Sequence, residues 1–204
     1  MRAITSRSQL EEFGRQRLSS NFFMRDFLYS EIAASEGMMN APDDPDLALA
    51  AGRKLCVELL EPLNAQFGRV AVRSAYRSCL VNQRGTELAK GNCASNASNY
   101  AAHIWDRRDA DGAMGATACI VLPWLVDHCA AGGDWRAMAW WIHDKLPYAS
   151  MQFFPHLIAF NIQWHERPER SIYSYIAPNT GYLTRLGMDN HAGVHADQYR
   201  EFPQ

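Results

Sequence analysis

The sequence predicts an α+β domain, because its helix signals come early, its β-like runs come late, and no βαβ unit repeats along it. The clearest helix start is Asp43-Asp44-Pro45-Asp46, where an acidic cap precedes a proline suited to the first helical turn. Leu47, Ala51, Leu55 and Leu59 follow at four-residue spacing, which gives this helix one apolar stripe to bury. Pro62 reads as its end, and Gly68 introduces Val70-Ala71-Val72 as a short strand. A second apolar helix is expected over residues 120–130 with Pro123 in its first turn. Gly132-Gly133 breaks it, and Asp134 caps a third helix over 135–145. Residues 150–154, 158–164 and 171–176 then read as strands.

A length of 204 residues suits one ordinary domain, and 48% hydrophobic content with six Trp, nine Phe and eight Tyr is ample for a core. The division expected is an N-terminal extension over 1–20, a domain over 21–185 and a polar tail over 186–204. Twenty basic and 22 acidic side chains leave a formal charge of −2, which argues against nucleic acid as a partner. Charges interrupt the first 18 residues where a secretory leader needs an apolar stretch, and the richest apolar run is too short for a bilayer. The five cysteines are odd in number and lack CxxC spacing, so a reducing cytoplasm is the expected setting and no membrane partner is expected.

From Arg77 to Gly115 the chain is rich in Asn, Ser, Gly and Asp without clean periodicity. A loop of that length inside a domain usually belongs to a functional site. No Gly-rich phosphate loop and no GxSxG elbow accompany it.

Three stretches together resemble the D-Ala-D-Ala carboxypeptidase-type zinc peptidases. The first is Asn21-Phe22-Phe23 with Asp26-Phe27, Ser30, Gly37 and Asn40-Ala41-Pro42. The second is Leu59-Leu60-Glu61-Pro62-Leu63 and Phe67-Gly68, followed by Ser74-Ala75-Tyr76-Arg77-Ser78 with Asn82. The third runs from His103 through Gly115-Ala116-Thr117-Ala118-Cys119 to Phe160-Asn161-Ile162. The resemblance implies the hedgehog/DD-peptidase fold, a small antiparallel sheet packed with several helices. It also implies a zinc site with a nearby general base, acting on a small peptide or a peptidoglycan-stem-like ligand.

Carried over residue by residue, His103 matches the first zinc ligand, and Cys119 stands where the second ligand is an Asp. Asn161 falls at the position of the late ligand His, and Gln152 or Phe153 at that of the general-base Glu. Thiolate binds zinc well at about 2.3 Å, so Cys119 is either a substitute ligand or a small buried residue. Asn161, Gln163 and His165 would share one strand face, with His165 roughly 13 Å beyond Asn161. His165 completes a His103, Cys119, His165 set only if the strand register departs from the family's; otherwise it is a surface histidine beside Glu166. Asp106 is a ligand, a base or a solvated acid of an acidic loop. Arg77 is implied to face the site and steady substrate oxygens, and is otherwise a brace for the long loop. With Gln152 it makes the expected catalytic pair, while Ser74, Tyr76 and Asn161 are the expected substrate contacts. Trp140-Trp141 and Phe153-Phe154 read as core pairs, and His191 and His195 as bystanders in the tail.

Three functions follow as expectations. One is a metal-dependent peptidase or amidase holding zinc. The second is a peptidase-fold binding protein without turnover, since no carboxylate stands at the base position. The third is thiol chemistry at Cys119 and His103 in the same cleft.

Overall fold

Helix α1 (Arg7–Gly14) begins at a reciprocal cap in the computed structural model, which describes residues 3–88 and 93–203. The Ser6 hydroxyl accepts from the Gln9 N–H, and the Gln9 side chain accepts from the Ser6 N–H. Its Phe13 and the following Leu18 are buried in the common core, so the segment expected as an extension is docked. After a single turn at Met24–Phe27 and the short α2 (Glu31–Ser35), Asp44 caps α3 (Pro45–Leu55) by accepting from the Leu47 N–H.

Pro62 does not end this helix. The chain widens into a π turn at Cys56–Leu60, where the Glu61 N–H bonds the Cys56 carbonyl, and continues as α4 (Glu61–Phe67). Pro62 then sits in a first turn, where its missing N–H leaves no bond unmade. Gly68, at φ 76°, provides the stop.

The stretch expected as one long loop contains α5 (Cys79–Glu87), capped by the Ser78 hydroxyl, and the single-turn α6 (Asn96–Asn99). The apolar segment after it divides differently from expectation. Ile120 and Val121 finish strand β2 (Gly115–Val121), and α7 (Pro123–Ala130) starts at the proline, which holds Leu122 in extended backbone. Asp134 accepts from the Arg136 N–H at the head of α8 (Arg136–Lys145).

One six-stranded sheet unites β1 (Ala71–Ser74), β2, β3 (Ser150–Phe153), β4 (Phe160–His165), β5 (Ser171–Ser174) and the unanticipated β6 (Gly181–Thr184), in the order β1-β2-β4-β3-β5-β6. The sheet is mixed and not wholly antiparallel as expected, because β3 and β5 run parallel. The cause is geometric. In the β3–β4 pair Gln163 lies opposite Ser150, so the chain leaving β4 emerges beside the start of β3 and enters β5 in the same direction.

Alternation gives the sheet two faces. Ala116, Ala118, Ile162, Trp164, Met151 and Ile172 point into the core with Leu55, Leu59 and Leu63. The opposite face carries Cys119, Asn161, Gln163, Gln152, Ser150 and Tyr173. The tail is docked as well. Asp144 on α8 pairs with His195 Nδ1 at 2.8 Å and accepts from the Tyr199 hydroxyl, while Phe202 packs on Trp124 and Phe67. His191 accepts at its carbonyl from His143 Nε2, so neither tail histidine is a bystander. No helix among the described residues is long and apolar enough to cross a membrane.

Candidate functional site

The polar face of the sheet forms the floor of a cleft of about 1300 Å³. Its walls come from the segment following Tyr29, from residues 93–103, and from the ends of β3 and β5. Seven residues singled out from the sequence line it: Ser74, Arg77, His103, Cys119, Gln152, Asn161 and His165.

Strand register fixes much of this arrangement. Ser74 pairs with Cys119, Cys119 with Asn161, and Asn161 with Gln152, so four consecutive strands each supply one side chain to a common row. Within it the Asn161 amide donates to Gln152 Oε1 at 3.1 Å. One step along the strands, Thr117, Gln163 and Ser150 form a second row, with the Ser150 hydroxyl donating to Gln163 Oε1 at 2.8 Å.

His103 reaches the cleft from a turn that rests on the sheet. Ala101 adopts φ 54°, Gln163 Nε2 donates to its carbonyl at 2.9 Å, and the Thr117 N–H donates to the Ala102 carbonyl. The imidazole is buried, and its Nδ1–H donates to the Ala75 carbonyl at 2.8 Å, which leaves Nε2 as an acceptor. Burial, together with the nearby Arg77 charge, lowers its pKa from the usual 6.5 to about 3.

That shift carries a stability prediction. Between about pH 3 and 6.5 the unfolded chain protonates this imidazole and the native protein does not, so stability rises with pH across the window and is flat above it. Urea titrations at pH 7 and pH 5 should show the parent protein losing about 2 kcal/mol more than His103→Gln. Equal losses would mean the ring is charged or exposed in the native state.

Arg77 follows Tyr76 where the chain leaves the edge strand β1, and its N–H donates to the His103 carbonyl at 2.8 Å. Its guanidinium is half-buried, with Nη1 2.6 Å from Cys93 Sγ, and burial pulls its pKa down. No carboxylate pairs with it among the described residues. Cys93 had no signal in the sequence; it reaches the cleft by settling against Gly85 of α5, where a Cβ would lie 2.7 Å from its sulfur.

Two expected contacts lie elsewhere. Tyr76 is fully buried behind the cleft and packs its ring against Trp105, because its neighbour Arg77 takes the cleft-facing position. Asp106 is neither ligand nor solvated acid: it is buried, and its carboxylate accepts from the Asp43 N–H at 2.7 Å, tying the site turn to the head of α3. Phe154, expected in the core, stands on the cleft rim with Tyr175.

The zinc implied by the resemblance requires three or more converging donors. Among the described residues no group of three His, Cys, Asp or Glu is arranged to hold a metal ion. His165 lies opposite Gly115, two residue pairs beyond the Cys119–Asn161 pair, and its Nε2 is engaged by Asp109 Oδ2 at 3.1 Å. Burial pushes the Cys119 thiol up. Strand register thus places Cys119 opposite Asn161 and leaves His165 beside Asp109, away from that pair.

Scans against protein-family models, against curated proteins and against solved structures give no match to this chain.

Proposed function

We propose that the cleft binds a short peptide through a carboxylate, in a domain derived from the D-Ala-D-Ala carboxypeptidase-type peptidases and keeping their hedgehog/DD-peptidase fold without their metal-centred hydrolysis. One observation carries the reading: a half-buried guanidinium on the cleft wall whose donors meet a cysteine sulfur and, among the described residues, no acid. A guanidinium offers five N–H donors in a fork that matches a carboxylate, and a partly desolvated cation without an anion is costly. A ligand carboxylate removes that cost. The amide row of Asn161 and Gln152 then supplies acceptors and donors for the peptide backbone, a task that needs no ionised group.

The test is calorimetric titration with N-acetyl-D-alanyl-D-alanine and with its C-terminal amide. The acid is expected to bind and the amide to bind at least tenfold more weakly. Arg77→Ala should cost about 1.5 to 3 kcal/mol for the acid and little for the amide. Equal affinity of acid and amide would overturn the reading.

A second reading is favoured by one feature of His103, a neutral imidazole with a free Nε2 on the cleft wall. It makes the protein a metal-dependent hydrolase with His103 Nε2 as a ligand. Elemental analysis showing one metal per chain, with cleavage of the dipeptide abolished in His103→Ala, would replace the binding reading with this one.

A further inference from the structure

The row that begins at Ser74, Cys119, Asn161 and Gln152 does not stop there. Gln152 pairs with Tyr173 on β5, and Tyr173 with Tyr182 on β6. Side chains on one face thus run across all six strands, roughly 24 Å at the usual strand spacing. Their character changes along the way, from hydroxyl and thiol through amides to phenols.

The aromatic end is a built surface. Tyr175 stacks flat on Phe154, with centroids 5.3 Å apart and planes within 4°. Tyr173 lies 4.9 Å from Tyr175 and meets Tyr182 edge-on at 5.1 Å. Tyr175 and Tyr182 are each 48% exposed, although large aromatic side chains normally bury their faces. None of the three tyrosine hydroxyls has a hydrogen-bond partner among the described residues, and neither does Gln152 Nε2 or Asn161 Oδ1. Rings already held by their neighbours lose little conformational entropy when a ligand lies on them.

We propose that this wall is an oligosaccharide-binding subsite, in which pyranose rings lie on Tyr175 and Tyr182 and their hydroxyls bond the free amide groups of Gln152 and Asn161. The chemistry selects the class. A pyranose has an apolar C–H face and an equatorial rim of hydroxyls, which matches flat rings bordered by free amide donors and acceptors. An apolar peptide segment would need an enclosed pocket, whereas Tyr175 and Tyr182 are half-exposed. Nucleic acid also stacks on tyrosines but requires phosphate-binding cations, and the protein is slightly acidic overall. Arg185 lies 4.4 Å over the Tyr182 ring.

The subsite shares Gln152 and Asn161 with the peptide-binding row but does not use Arg77, and one experiment separates the aromatic wall from the Arg77 carboxylate anchor. The intact protein is titrated calorimetrically with cellotetraose, with chitotetraose and with a dT8 oligonucleotide. At least one tetrasaccharide should bind saturably, about tenfold more weakly to Tyr175→Ala or Tyr182→Ala, and nearly unchanged to Tyr175→Phe. Arg77→Ala should leave that affinity alone, and Tyr175→Ala should leave dipeptide binding alone. Absence of binding to both saccharides, indifference to both alanine substitutions, or tighter binding of the oligonucleotide would each overturn the proposal. The substituted rings are half-exposed, and matching circular dichroism of each variant with the parent shows that any loss is local.

Discussion

Gly115→Ala is expected to lower stability by at least about 3 kcal/mol and to shift the urea midpoint accordingly. A Cβ at this position would overlap the Ala101 carbonyl and lie 2.7 Å from His165 Cδ2 and 3.0 Å from the Trp164 carbonyl. Two of those obstacles are backbone, and neither can retreat cheaply. Trp164 belongs to β4, hydrogen-bonded across β2, and the Ala101 carbonyl accepts from Gln163 while its N–H bonds the Ile104 and Arg107 carbonyls. The easier escape is for the turn bearing His103 to lift off the sheet. The variant should therefore also lose the acid-sensitive component of stability assigned to His103. Gly112→Ala is the control. Its φ of 78°, unlike the strand backbone of Gly115, is unfavourable for alanine, but nothing lies within 4 Å, so strain alone should cost about 1 to 2 kcal/mol. If the two substitutions cost the same, the close seat of the turn on β2 is not what fixes the cleft.

How far the sequence foretold this site depends on which interactions made it. The face shared by Asn161, Gln163 and His165 follows from strand alternation, and the register carries it into the cleft. The same rule did not reveal that Gln152 stands beside Asn161, or that Tyr173 continues the row, because cross-strand neighbours are set by pairing order and not by spacing along the chain. The parallel β3–β5 pair, and with it the aromatic end of the row, depends on where β4 releases the chain. Cys93 escaped for a similar reason: its position depends on the absent side chain of Gly85, far from any motif.

The helical misreadings have local causes. In sequence Pro62 looks like a terminator, but a π turn displaces the hydrogen-bond ladder there. The run from Ile120 reads as helix because it is apolar throughout, yet a strand covered on both faces has the same pattern. Asp106 shows the converse limit. An acid among other charges looks solvated in sequence, and only the arrival of the α3 N-terminus, 63 residues away in the chain, makes it a buried brace.

Trp105→Ala should be about as damaging as Gly115→Ala, at roughly 3 to 5 kcal/mol, and for the opposite reason. The indole is fully buried two residues after His103. It contacts Phe27 at 5.4 Å and Tyr76 at 6.0 Å, and its Nε1–H donates to the Thr117 carbonyl at 3.2 Å. Gly52 on α3 makes room for it, since a Cβ there would lie 2.9 Å from Cζ3. One side chain thus joins α3, the Met24–Phe27 turn, the chain after β1 and strand β2 directly behind the cleft. Its removal leaves a cavity where these four elements meet, and it frees the turn on which His103 and, through a backbone bond, Arg77 depend. Trp105→Phe retains most of the volume but not the hydrogen bond, and should cost about 1 to 2 kcal/mol. In the alanine variant, dipeptide binding is expected to weaken although Arg77 is intact, while tetrasaccharide binding at Tyr175 persists at temperatures where the variant is folded. Loss of both together would mean that the two ends of the row are one cooperative site; loss of neither would mean that the core behind the cleft does not govern its geometry.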